Sequence, residues 1–240
     1  NTTTYDVNTR APTRRHYQEP SQPPTFLRRP PPYFCATFAP HSSPLTITRM
    51  IRPDLDQLPT YTPGKKADDA LVLASNETSE PPLPAAIEAI TSAAHTLNRY
   101  PHMATSPLHH AIADLHGVTI NEVAIGCGSS SLLQQLILAT CKDGDETLFA
   151  WRSFEAYPIL SRIAGATPVP VPLDVYHCHD LDAMADAITD KTSLIILCNP
   201  NNPTGTLVTE DELEAFFARV PDRITVCIDE AYLDLSLIHI

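Results

Sequence analysis

Two stretches near the C-terminal end decide the fold: Leu194-Ile195-Ile196-Leu197-Cys198-Asn199-Pro200-Asn201-Asn202-Pro203-Thr204-Gly205 and Ile224-Thr225-Val226-Cys227-Ile228-Asp229-Glu230-Ala231-Tyr232. Each opens with a five-residue, almost wholly apolar run. Runs of this kind mark strands buried on both faces. Between them Thr209 and Glu212 have the spacing of a capping box, and Leu213, Phe216 and Phe217 make an apolar helical stripe. Strand, helix, strand in this order reads as a βαβ unit in a parallel sheet.

The same alternation extends toward the N-terminus. Leu181 to Ile188 is predicted as a helix, Pro168 to Val171 as a strand, Phe154 to Ala164 as a helix and Thr147 to Ala150 as a strand. Before these come a helix from Leu132 to Thr140 and a short strand, Val123-Ala124-Ile125. Ser106 as N-cap, Pro107 in the first turn and Gly117 as the stop frame a helix carrying Leu108, Ile112 and Leu115. An earlier helix is expected after Pro84, with Ile87 and Ile90 on one face, and Leu71 to Ala74 is a short apolar run. The expected class is α/β: a three-layer, open, mostly parallel sheet, incomplete in this chain.

Composition divides the 240 residues into two materials. Residues 1–52 carry seven arginines against Asp6 and Glu19, and 12 of the 24 prolines lie at or before Pro63. Pro23-Pro24 and Pro30-Pro31-Pro32 donate no backbone hydrogen bonds, so residues 1–63 read as a basic, disordered leader. Residues 64–105 read as an arm with the first helix, 106–234 as part of a large α/β domain, and 235–240 as an atypical tail.

The rest of the chain is strongly acidic, and the whole carries a net charge of −12. That argues against nucleic acid as a partner, because phosphate binding needs clustered Lys and Arg. No run approaches the about 18 apolar residues of a membrane helix. The six cysteines show no paired spacing, and Cys127, Cys141, Cys198 and Cys227 sit in or beside apolar segments. Reduced, packed cysteines of this kind fit a cytoplasmic protein.

Ligands of open α/β sheets bind beyond the carboxyl ends of the strands. There the sequence offers Gly126 to Ser131, a small-residue turn able to cradle a phosphate, though such residues also make ordinary turns. It also offers the rigid asparagine loop Asn199 to Gly205. Asp229 stands at the end of a buried strand, where it either meets a cation or caps the following turn, and the phenol of Tyr232 lies three residues on. Together these groups suit a phosphorylated aromatic cation, and pyridoxal phosphate fits that description. His177-Cys178-His179 is the one metal-like motif, but adjacent ligands on an extended chain diverge and no second pair follows, so no metal is expected.

Asn199 to Gly205 followed by Asp229-Glu230-Ala231-Tyr232 resembles the class I/II, fold type I aminotransferases. Leu97 to Pro101, Gly126 to Ser131 and Asp180 to Met184 are similar to the histidinol-phosphate aminotransferase group. Trp151 to Pro158, and Cys127-Gly128-Ser129 with Leu132 to Leu136, look most like an actinobacterial branch of aromatic amino acid aminotransferases. The resemblance spans about residues 54–234. It implies that Ser129 and Ser130 hold the cofactor phosphate, Phe154 stacks on the ring, Asn202 and Tyr232 bond its phenolic oxygen, and Asp229 pairs with its nitrogen. It implies further that Tyr100 reaches the phosphate of the other subunit of a homodimer, and that Asn76 lies near the substrate. The implied substrates are small molecules, an amino acid and a 2-oxo acid. An aromatic amino acid and histidinol phosphate both present a flat ring, so the nearby Tyr157 and Trp151 do not decide between them.

The chain departs from that pattern in two places. Ser130-Ser131 stands where many relatives have an Asp-Glu pair, and Lys65, Lys66, Lys142 and Lys191 match no cofactor-bearing lysine. The resemblance places that lysine beyond residue 240, so no catalytic residue is expected within this chain. Two functions follow: transamination between an aromatic amino acid or histidinol phosphate and 2-oxoglutarate in a longer parent, or a cofactor-binding relative without catalysis.

Overall fold

Four parallel strands lie side by side in the order β2-β1-β3-β4: β1 Glu146–Trp151, β2 Thr167–Pro172, β3 Thr192–Cys198 and β4 Thr225–Asp229. The computed structural model describes residues 52–58, 76–77, 80–100 and 106–235. The apolar run Leu71 to Ala74, the leader before residue 52 and the tail after 235 lie outside the described residues. Among the described residues six α-helices accompany the strands: α1 Pro84–Ala93, α2 Pro107–His116, α3 Ser129–Thr140, α4 Ala156–Ala164, α5 Leu181–Asp186 and α6 Glu210–Phe217. Each parallel pair needs a crossover, and α4, α5 and α6 supply the three.

Alternation along β3 builds a core on both faces. Leu194, Ile196 and Cys198 join Phe149 against Leu133 and Ile137 of α3 and Tyr157 and Leu160 of α4. Ile195 and Leu197 join Leu148 and Ala150 against Met184 of α5 and Phe216 of α6. Leu194 through Leu197 are fully buried, and each such side chain contributes about 1.5–3 kcal/mol relative to exposure. The result is three layers: helices, sheet, helices.

The caps explain where the helices start. Thr209 and Glu212 form the reciprocal box at α6. Ser106 caps α2, and His109 completes that box by accepting from the Ser106 amide at 3.3 Å. Gly117 ends α2 with φ +66°, a conformation that a side chain would strain. Arg219 bridges Asp182 and Asp186 at 2.6 Å, joining α5 to the end of α6 at the surface, where such pairs contribute little.

Two expectations need correction. Val123-Ala124-Ile125 is not a strand: it leaves a short 3-10 turn, Ile120–Glu122, in extended conformation but joins no ladder. The apolar run of β4 is not buried on both faces, because among the described residues β4 pairs only with β3, and Ile228 is 38% exposed. Helix α1 forms, but Ile87 and Ile90 are exposed and no described residue of that helix is buried. No described helix is long and apolar enough to cross a membrane.

Candidate functional site

From β1 the sheet grows first to β2 at one edge, then back past β1 to β3 and β4. The strand order therefore reverses between β1 and β3, and the crevice at such a switch point is where open α/β sheets bind ligands. Three loops leave the strands there: Arg152-Ser153-Phe154 after β1, Asn199 to Gly205 after β3, and Glu230-Ala231-Tyr232 after β4. Asn201, buried, ties the first two. Its Oδ1 accepts from Ser153 Oγ at 2.8 Å, and its Nδ2 donates to the Arg152 carbonyl at 3.1 Å and Thr204 Oγ1 at 2.7 Å. The Asn199 amide donates to the Asp229 carbonyl at 3.0 Å, tying in the third loop. The peptide bonds Trp151-Arg152, Asn199-Pro200 and Asn202-Pro203 are cis.

Asp229 is 8% exposed at the end of β4, and a carboxylate so placed must be met by donors. Tyr157 Oη donates to its Oδ2 at 2.7 Å, and the Ala231 amide donates to Oδ1 at 3.2 Å. The turn-capping reading of Asp229 thus holds alongside the buried-carboxylate one. Tyr157 is fully buried. Burial above all, with the nearby charges of Cys198 and Asp229, raises its phenol far above the ordinary range, and it remains a donor. Phe154 packs edge-on against Tyr157, with centroids 5.6 Å apart and planes at 88°. The Cys227 thiol is pushed up to about 11 by burial, with Asp229 and Cys198 adding to the effect.

A second group converges on Tyr232. Its oxygen accepts from Asn76 Nδ2 at 3.0 Å and Asn202 Nδ2 at 3.4 Å. With both of those bonds received, the phenolic proton can be given outward. Asn76 adopts φ +50°, a left-handed conformation that asparagine tolerates.

Ser129 and Ser130 open α3, whose amides at this end precede the helical ladder and face outward with the positive end of the dipole. Gly128 before them has φ +79° and open space around the missing Cβ. Ser129 and Asp229 line one open cleft of about 640 Å³, together with Leu132, Leu136 and Ile228.

Tyr100 takes no part in these bonds and is 97% exposed. Lys142 and Lys191 precede β1 and β3, at the opposite edge of the sheet from Asp229, and both are exposed. Of the described cysteines, Cys141 and Cys198 are buried and Cys227 half-buried, but Cys127 is exposed rather than packed. The described residues contain no group of three or more His, Cys, Asp or Glu able to hold a metal. The parts that sequence reasoning missed are Ser153, Asn201 and the Tyr157 hydroxyl. The only signal for the first two was their place immediately after strands.

Comparison with known proteins gives a consistent result. The sequence profile of the family Aminotransferase class I and II matches residues 68–237. An aromatic amino acid aminotransferase of Corynebacterium efficiens is 56% identical over 188 residues, 78% of this chain and 55% of that protein. One from Rhodococcus jostii is 55% identical over 190 residues, 79% of this chain and 53% of its own. The chain thus spans about half the length of the curated relatives it matches. Among solved structures, histidinol-phosphate aminotransferase from Sinorhizobium meliloti in complex with pyridoxal-5'-phosphate superposes with TM-score 0.63 at 26% identity. That match covers 67% of this chain and 44% of the other. N-succinyldiaminopimelate aminotransferase from Mycobacterium tuberculosis gives TM-score 0.59 at 30% identity, covering 63% and 43%.

Two outcomes follow from the site geometry. Tyr157→Phe removes one hydroxyl and strands one oxygen of a buried carboxylate, so urea denaturation should show a loss of about 1–3 kcal/mol; an unchanged midpoint would mean that the bond contributes nothing. His179 is buried, and burial holds its imidazole below the ordinary value, with the bond to Asn201 acting in the opposite direction. The folded state therefore binds this proton less tightly than the unfolded one, and stability falls as pH drops through about 6.5. The urea midpoint should decline between about pH 7.5 and 5.5, and less steeply in His179→Gln; identical slopes would contradict the assignment.

Proposed function

The chain belongs to the class I and II aminotransferases, and on that footing we propose that it builds the pyridoxal phosphate site of an enzyme that moves an amino group between an aromatic amino acid and 2-oxoglutarate. The observation that carries this reading is the buried carboxylate of Asp229 at the switch-point edge, held by Tyr157 and Ala231. The donor set suits the cofactor at each end. The amides and hydroxyls of Ser129 and Ser130 would hold a phosphate dianion at the start of α3. Asp229 would accept the N–H of a protonated ring nitrogen, a charge-assisted bond. Tyr232 and Asn202 would serve the ring's phenolic oxygen, Phe154 would cover one face of the ring, and Asn76 would stand on the substrate side.

When bound, pyridoxal phosphate supplies an electron sink for the carbon that bears the amino group. The residues of this chain keep that sink in place. Asp229 would hold a proton on the ring nitrogen, Tyr157 keeps the carboxylate from turning away, and the Tyr232 hydroxyl would donate toward the ring's phenolic oxygen. Covalent attachment falls, in this reading, to a lysine other than Lys142 and Lys191, which lie across the sheet. The reading includes a homodimer in which Tyr100 reaches the partner's cofactor phosphate. The exposed Ile87, Ile90, Leu97 and Tyr100 support an interface on that side.

Sequence identity favours the aromatic substrate. The aromatic amino acid enzymes above are 55–56% identical, against 26% for the histidinol-phosphate enzyme. Assay of the complete gene product with phenylalanine, tyrosine and histidinol phosphate against 2-oxoglutarate tests this. Parallel-line, ping-pong kinetics with the aromatic substrates are expected, with kcat/KM at least tenfold above that for histidinol phosphate. A preference for histidinol phosphate would move the substrate to the second class, and no turnover with any of the three would overturn the reading.

A further inference from the structure

The segment containing His177-Cys178-His179 is tightly organised. Asp174 Oδ1 accepts from the amides of Tyr176 and Cys178, each at 2.8 Å, and the Asp174 amide donates to the Cys178 carbonyl at 3.0 Å. This closed turn leans on the asparagine loop at two points. Thr206 Oγ1 donates to the His177 carbonyl at 2.9 Å, and His179 Nε2 lies 3.2 Å from Asn201 Oδ1.

The direction of the second bond is fixed by the neighbours. Asn201 Nδ2 faces the Arg152 carbonyl, which can only accept, so the other amide atom is the oxygen and His179 must be the donor. Its Nδ1 is buried without a partner. A leucine would fill the same space and strand no nitrogen. What the imidazole adds is one N–H, aimed at the residue next to Asn202. The Asn201 amide donates to the Thr206 carbonyl at 2.9 Å, and the Gly205 amide to the Asn201 carbonyl at 2.7 Å, so residues 201–206 move as one small closed loop. Asn202 rides on that loop, and its 3.4 Å bond to Tyr232 is long enough that a small displacement breaks it.

We propose that His179 is a positioning residue: by donating Nε2–H to Asn201 it sets the asparagine loop so that Asn202 meets Tyr232, the pair read above as serving the phenolic oxygen of the cofactor. The functional consequence rests on that reading, while the positioning does not. Sites whose supporting shell is left loose are present but misplaced, which weakens binding without unfolding the protein.

The test uses the 240-residue chain and three variants: His179→Leu, His179→Gln and His179→Asn. Glutamine places an amide N–H near the Nε2 position, whereas asparagine places it near Nδ1, too short to reach Asn201. The first readout needs no cofactor: the nuclear Overhauser effect between the Asn202 side-chain amide and the Tyr232 ring. The second is the Kd for pyridoxal phosphate, read from quenching of Trp151, the chain's one tryptophan.

The effect should persist in wild type and His179→Gln and vanish in His179→Leu and His179→Asn. The Kd should weaken about five-fold in the latter two, the factor that one net hydrogen bond is worth, and recover in His179→Gln. If glutamine and asparagine behave alike, or if the effect survives in His179→Asn, the proposal is overturned, even should His179→Leu fail to fold. Wild-type chain that shows the expected Overhauser pattern but no quenching by pyridoxal phosphate supports the positioning and overturns the cofactor reading instead.

Discussion

A carboxylate 8% exposed at the end of a strand is the constraint around which this structure is arranged. Asp229 cannot be left without donors, and the donor that matters comes from 72 residues earlier in the chain. Delivering the Tyr157 hydroxyl requires α4 to pack on the face of the sheet that carries Phe149, Leu194 and Ile196. It also requires β1 and β3 to be neighbours and β4 to follow β3. The same packing brings Phe154 beside Tyr157. One hydrogen bond therefore reports on most of the architecture.

The switch point explains why the chemistry-bearing side chains converge. Parallel strands put all their carboxyl ends on one edge, so loops distant in sequence meet without long connections. Ser153, Asn201 and the backbone of Arg152 lock the first two loops together, and the Asn199 amide brings in the third. On this edge the groups divide by role. Backbone amides at the start of α3 suit an anion, Asp229 suits a cation, and the Asn76, Asn202 and Tyr232 cluster suits a neutral oxygen. The two described lysines stand at the other edge.

Much of the fold was legible because its signals are local. The runs in β3 and β4, the capping box of α6 and the Ser106, Pro107 and Gly117 frame of α2 depend on neighbours within a few residues. The failures have equally physical causes. Val123-Ala124-Ile125 is extended, but a strand exists only if a ladder partner is adjacent, and three residues cannot reveal that. β4 has the composition of a central strand yet pairs on one side among the described residues, so composition overstated its burial. In the site, strand ends located Asn202, Asp229 and Tyr232 at one edge, whereas Ser129 was reached through a run that forms no strand. The partners that orient them, Tyr157 and His179, are set by packing between residues tens of positions apart, and a tyrosine or histidine in sequence carries no mark of where its polar atom will point.

The most direct measurement of the central claim is the induced circular dichroism of pyridoxal phosphate titrated into the chain and into its Asp229→Asn variant. The account requires an induced band with the wild type, and a Kd at least tenfold weaker in the variant, because a charge-assisted bond to a protonated ring nitrogen is replaced by a neutral one. Equal affinity and an equal band in the two proteins would contradict it: Asp229 would then be a buried carboxylate that serves the turn after β4 and nothing more.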